Sequence, residues 1–196
     1  MEQEIMIYNN LKEICLCRDT KITEVPKNFE ESWKRLRQYE IYADRRNVPG
    51  REDQSFIIVR IGHNDPVTAA ESLSKKSIDR FLFVLSVPVN EEIRPAIIKK
   101  IRDIFVEKKV EIYESWKFVI HIPSMVSVPR HTIMTDKTVL SEYHLSLNQL
   151  PSILSIENER GPDIVSIWYE FCPGMLILIQ RSCNTSLVEM TFRHAV

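Results

Sequence analysis

Ser55-Phe56-Ile57-Ile58-Val59-Arg60-Ile61 is β-branched and apolar along nearly its whole length, and it reads as a buried strand. Phe81-Leu82-Phe83-Val84-Leu85 repeats the pattern downstream, after a polar, helix-like stretch from Pro66 to Arg80. A long helix is expected next. Asn90 caps it, Glu91 and Glu92 sit at its positive N-terminal end, and Ile93, Ile97, Ile98, Ile101, Ile104 and Phe105 form its apolar stripe. Lys108 and Lys109 close it. Trp116 to Ile122 then alternates weakly and stops at Pro123, which predicts another strand. Strands alternating with helices in this way predict an α/β unit with at least three strands, ending near Pro123.

Upstream of the first strand the text is polar from Asp44 to Asp53 and carries Pro49-Gly50, a turn signal flanked by Arg45, Arg46 and Arg51. Two helices are expected before it. The first runs from Tyr8 to Asp19, with Ile5, Tyr8, Leu11, Ile14 and Cys15 at three- and four-residue steps. The second follows Pro26, with Phe29, Trp33, Leu36 and Tyr39 on one face. Beyond Pro123 the pattern changes to a short strand, a short helix after Thr135, a loop at Asn148-Gln149-Leu150-Pro151, a further helical turn and a strand pair. Cys172-Pro173-Gly174 has Pro and Gly where a type II turn needs them. The strand pair is Met175 to Gln180 and Leu187 to Arg193. The expected organisation is thus an α/β domain over residues 1–122 and a smaller α+β domain over residues 123–196.

Composition narrows the function classes. The chain has 196 residues, 44% of them hydrophobic and 27% charged, which fits a folded globular chain and neither a disordered nor a membrane class. No apolar run approaches the ~20 residues of a bilayer span. Met1-Glu2-Gln3-Glu4 is acidic and has no apolar core, which argues against a secretory leader. The net charge of −1 gives the whole molecule no field to attract nucleic acid, so any DNA contact must come from a local patch. Cys15, Cys17, Cys172 and Cys183 lack CxxC spacing, so neither a structural zinc nor a disulfide is expected.

No active site emerges. Glu107-Lys108-Lys109 has the letters of a nuclease Glu-x-Lys element but sits where a helix should end in solvated lysines. His121 and His131 have no nucleophile marked by a glycine-rich elbow, and with only four glycines there is no phosphate-cradling loop. Lys34, Arg35, Arg37, Arg45, Arg46 and Arg51 form the one basic cluster. They read either as phosphate contacts on a duplex or as a solvated face balanced by Glu30, Glu31, Glu40, Asp44 and Asp53.

Several ordered blocks carry a resemblance. Val128-Pro129-Arg130-His131-Thr132-Ile133-Met134-Thr135, Asn148-Gln149-Leu150-Pro151, the turn at Asp163 and Val165, and the run from Gly174 through Arg181, Thr185, Thr191, Phe192 and Arg193 resemble the shared fifth subunit of eukaryotic nuclear RNA polymerases and its shorter archaeal counterpart. Upstream, Leu16-Cys17-Arg18-Asp19, Gly62-His63-Asn64-Asp65 and Phe118 to Ile122 are similar in the same order. The chain departs from the family in a shorter helix after Thr135, an insertion near Leu154 to Glu159, and a last hairpin without its glycine. Asn90-Glu91-Glu92 also stands where the family has a Thr-Pro-Ser loop near DNA. This drift points to a divergent viral or parasite lineage.

The resemblance implies a non-catalytic polymerase subunit without cofactor or metal. Its N-terminal jaw domain, which the archaeal counterpart lacks, would carry a restriction-endonuclease-like sheet beside downstream double-stranded DNA. Its C-terminal domain, common to both, would assemble on the largest subunit. His131, Ile133, Met134 and Arg181 are the expected docking residues, with Arg181 alternatively paired to Asp163 or Glu189. Arg45, Arg46 and Arg51 are the expected DNA contacts. The expected location is the nucleus in a cell, or the cytoplasmic factory and virion for a virus. A stand-alone metal-dependent nuclease and a free regulator with the same fold are the competing readings.

Overall fold

The apolar run Ser55–Ile61 is the central strand of a five-stranded sheet in a computed structural model that describes residues 1–45, 55–62, 65–86, 94–158, 160–183 and 187–196. The chain divides into two units, Met1–Ile120 and His121–Val196. Together they make a mixed α and β protein with one sheet in each unit.

In the first unit β1 (Thr20–Glu24), β2 (Gln38–Arg45), β3 (Ser55–Ile61), β4 (Arg80–Leu85) and β5 (Lys109–Glu114) lie in that order across the sheet. β1, β2 and β3 pair antiparallel, whereas β3, β4 and β5 pair parallel. Parallel neighbours need a crossover. α3 (Pro66–Ser74) supplies the first and α4 (Arg94–Ile104) the second. Asp65 starts α3 by accepting from the Val67 and Thr68 amides, with proline at the first helical position. Both helices pack on one sheet face, where Ile57, Val59, Phe81 and Phe83 meet Ala70, Leu73, Ile101 and Phe105 in one core.

Strand alternation turns Arg60, Arg80 and Glu111 to the other face, which α1 (Glu2–Cys17) covers. Its buried residues Glu4, Ile7, Leu11, Ile14 and Cys15 fall at three- and four-residue steps. α2 (Phe29–Leu36) is capped by the Asn28 side chain and packs beside it, with Phe29 stacked on Tyr8 at 4.3 Å.

The structure corrects several expectations. Trp116 to Ile122 is not a strand. Ser115–Phe118 and Ile122–Ser124 are short 3-10 turns, the second led by Pro123, and Trp116 is 64% exposed rather than packed in a sheet. The last parallel strand is β5, and β1 and β2 are strands too. α1 begins at Glu2, not near Tyr8. Tyr39 belongs to β2, because Arg37 adopts a left-handed conformation (φ 51°) and ends α2 before it. α4 stops at Ile104, so Lys109 opens β5 instead of closing a helix.

Gly62 shows how tightly α2 meets the sheet. Its amide donates to the Arg37 carbonyl at 2.7 Å, and a Cβ would lie 2.8 Å from that oxygen and 2.9 Å from the Trp33 ring. Gly62→Ala should therefore destabilise this unit by about 1–3 kcal/mol in thermal unfolding. An unchanged midpoint would show that the backbone yields at no cost.

In the second unit the Ile122–Ser124 turn is followed by β6 (Arg130–Met134), α5 (Val139–Glu142) and a 3-10 turn at Leu147–Gln149. β7 (Ser152–Ile153), α6 (Ile164–Tyr169), β8 (Leu176–Cys183) and β9 (Leu187–Ala195) follow. The sheet order is β6-β8-β9-β7, with β8 and β9 as an antiparallel hairpin. Gly174 has φ +80°, and the Met175 amide returns to the Cys172 carbonyl at 3.2 Å, as a Pro-Gly turn requires. Ile153, Phe171, Ile177 and Ile179 form the core on one face. Leu140, Leu150 and Leu176 form another core.

Candidate functional site

The Val128–Thr135 block becomes β6 and the bend before it, and it pairs antiparallel with β8 from Arg130↔Gln180 to Met134↔Leu176. Alternation sends its side chains to opposite faces. His131 is buried near the rings of Tyr169 and Phe171, at 6.3 and 6.1 Å. Burial holds its pKa below the usual histidine value, helped by Arg181 and Arg193 and opposed by the Pro129 carbonyl and Asp163. Ile133 packs against the Phe171 core and Met134 against the Leu140 core. Three of the four expected docking residues thus serve the unit's own interior. Arg181 is exposed on β8, directly across from Glu189 on β9. Asp163 does not need it, since its carboxylate accepts from the Leu154 amide at 2.8 Å.

Apolar side chains that this unit leaves in water include Met125 and Val126, ahead of β6, and several further along the chain. Val188 is 48% and Met190 62% exposed on β9, with Tyr143 and Leu145 exposed just beyond α5. Tyr143 meets the ring of half-buried Phe192 at 5.9 Å. Asn148-Gln149-Leu150-Pro151 holds the segment below them. The Gln149 side chain accepts from the Ser146 amide at 2.8 Å, Leu150 is buried, and the Pro151 carbonyl accepts from the His194 amide at 3.1 Å.

Arg46 and Arg51 lie outside the described residues. Arg45 ends β2, and its side chain is also outside them. Of the other basic residues, Lys34 approaches Glu30 at 3.7 Å and Arg37 stacks over Trp33 at 5.7 Å, both on the surface of α2. Asn90, Glu91, Glu92, His63 and Asn64 lie outside the described residues as well. Glu107 and Lys108 fall in the turn after α4, where the lysine donates to the Ser74 and Lys76 carbonyls at 3.2 and 2.8 Å. That ties a loop. Among the described residues no three metal-ligating side chains converge, and no helix is long and apolar enough to cross a membrane. Burial pushes the thiols of Cys15 and Cys17 up to about 11, which leaves them poor nucleophiles at neutral pH.

Two bidentate buried ion pairs among the described residues go beyond the sequence expectations. Arg18 makes a bidentate bond to Glu111 at 2.8 and 2.9 Å, and Tyr113 donates to the same carboxylate at 3.0 Å. Arg60 makes another to Glu4 at 2.8 and 2.9 Å, donates to the Ile61 and Val84 carbonyls, and lies 4.9 Å over the Trp33 ring. They clamp both ends of α1 to the sheet. Arg60 interrupts an otherwise apolar strand, and Glu4 and Arg18 continue the apolar stripe of α1 at its two ends, which is the signal the sequence carries for them; Glu111 lies in the mixed run Lys109–Glu114 and carries none. Nearby, an open groove of about 510 Å³ runs past Val25, Pro26, Leu36, Tyr39, Glu40 and Tyr42. Its Glu40 carboxylate is engaged by Lys76 at 2.7 Å.

Neither the known family models nor the curated proteins contain a match to this chain.

Proposed function

We propose that this chain is a non-catalytic subunit of a multisubunit DNA-directed RNA polymerase. In this reading residues 121–196 dock on the largest subunit, and residues 1–120 form the jaw domain beside downstream duplex DNA. The observation that carries it is the set of ordered sequence blocks similar to the fifth-subunit family, from Val128 to Arg193. Apart from Thr185, which lies outside the described residues, all of them fall within one unit, at β6, the loop before β7, the start of α6 and the strands β8 and β9. A mixed five-stranded sheet with helices on both faces suits the restriction-endonuclease-like jaw. Catalytic metals and nucleotide chemistry belong to the large subunits, and contact with DNA is electrostatic and independent of sequence. The exposed apolar residues Val188, Met190 and Tyr143 suit a permanent assembly surface, because they sit in water until covered.

Co-expression with the largest subunit tests this. Both the full chain and residues 121–196 should co-purify with it in equimolar amounts, while residues 1–120 should not. Recovery with residues 1–120 alone would overturn the assignment of docking to the C-terminal unit. A nuclease reading would instead require metal-dependent DNA cleavage lost in Glu107→Gln.

A further inference from the structure

β9 is paired by β8 from Leu187 to His194, but on its other side only by β7, at His194 and Ala195. Ala195 turns its backbone inward, donating to the Met175 carbonyl at 2.9 Å and accepting from the Gly174 amide at 2.8 Å. The His194 amide turns outward, to the Pro151 carbonyl. Backbone groups alternate along an antiparallel strand, so Glu189, Thr191 and Arg193 also face β8. Val188, Met190 and Phe192 then present N–H and C=O at the outer edge, where no strand pairs with them among the described residues.

The hairpin also outruns its support. β6 reaches only Gln180, so Arg181↔Glu189, Ser182↔Val188 and Cys183↔Leu187 form a two-stranded ribbon. Such a ribbon is marginal in water without a third strand. Exposed edges are normally blunted by lysine, proline or a bulge. β9 has no lysine, proline or bulge, and its charged residues Glu189 and Arg193 lie on the face opposite Val188 and Met190; its register with β8 is unbroken, and Val188 and Met190 stand exposed along it.

We infer that the outer edge of β9 receives an added strand from the largest polymerase subunit; this rests on the function proposed above. A row of open amides and carbonyls selects an extended polypeptide. The flanking side chains set its pattern: apolar residues on the face of Val188, Met190 and Phe192, and hydroxyl or basic residues beside Thr191 and Glu189.

The test is co-expression of the full chain with the largest subunit. Met190→Pro deletes one outward amide and leaves the ladder to β8 intact, whereas Met190→Ala shortens the side chain and keeps the amide. Recovery should fall about tenfold or more for Met190→Pro, from a lost hydrogen bond and the clash of its ring, and no more than about threefold for Met190→Ala. Site-resolved amide exchange on the wild-type chain needs no variant to fold. The amides of Val188, Met190 and Phe192 should exchange fast in the free chain and about tenfold or more slowly in the complex, with Thr191, in the three-stranded part of the sheet, protected in both. A wild-type complex whose outward amides stay fast, or a folded Met190→Pro chain that assembles normally, overturns the inference and leaves the proposed function standing. Wild-type chain that fails to assemble at all overturns both. A free chain that dimerises through Met190, with the dimer lost in Met190→Pro, puts a second copy on this edge and overturns the assigned partner.

Discussion

Replacing Glu111 by Ala should destabilise the Met1–Ile120 unit by roughly 3–5 kcal/mol, a large share of the ~5–15 kcal/mol available to a domain. The carboxylate accepts two bonds from Arg18 and one from Tyr113, and Arg80 stands 3.7 Å away, all of them buried. Removing it strands guanidinium charge in an apolar sheet face. The loss comes from that stranded charge more than from the worth of the pair, which desolvation largely offsets. Glu111→Gln keeps the shape and one acceptor and should lose less.

The same pair sets a pH dependence. Burial pushes the Glu111 carboxyl up, but the charge and hydrogen bonds of Arg18, with Arg80 and Tyr113, outweigh it and hold the group below the ordinary carboxylate range. A folded value below the unfolded one means that the stabilisation is complete above the unfolded value, ~4.3, and is lost as pH falls toward the folded one. Urea unfolding followed over a pH series should therefore show wild type weakening below about pH 4.3 while Glu111→Gln stays flatter. A Glu111→Ala chain within about 1 kcal/mol of wild type would refute the role given to this carboxylate.

That cluster also explains what the sequence hides. β3 and β4 are legible because continuous apolar runs have few other uses. β5, Lys-Val-Glu-Ile-Tyr-Glu, looks like a half-solvated segment, since Glu111 reads as a surface residue unless Arg18, far earlier in the chain, is known to meet it. α1 reads short at its start for the same reason: Glu4 looks like a solvated end and is instead buried against Arg60. In the second unit the difficulty is reversed. Ile133, Met134, Val188 and Met190 are equally apolar as letters, and only the register of β6, β8 and β9 shows that the first pair faces a core and the second faces water. Core and interface use the same chemistry, so composition cannot separate them.

Phe171→Ala should cost the His121–Val196 unit about 3–5 kcal/mol and, with it, assembly. The ring is fully buried beside Tyr169 and His131, and the backbone of the same residue accepts from the Ile156 amide and donates to the Ser166 carbonyl. A cavity here opens the core under β8, and a unit this small has little stability in reserve. Phe171→Leu should recover much of the loss, because a smaller void remains. Comparing this variant with Glu111→Ala then separates the two units by function as well as by stability. If docking belongs to residues 121–196, Glu111→Ala should still co-purify with the largest subunit although its own unit is weakened, and Phe171→Ala should not. The reverse pattern would place the contact in the first unit, and the exposed apolar residues of β9 would then need another partner.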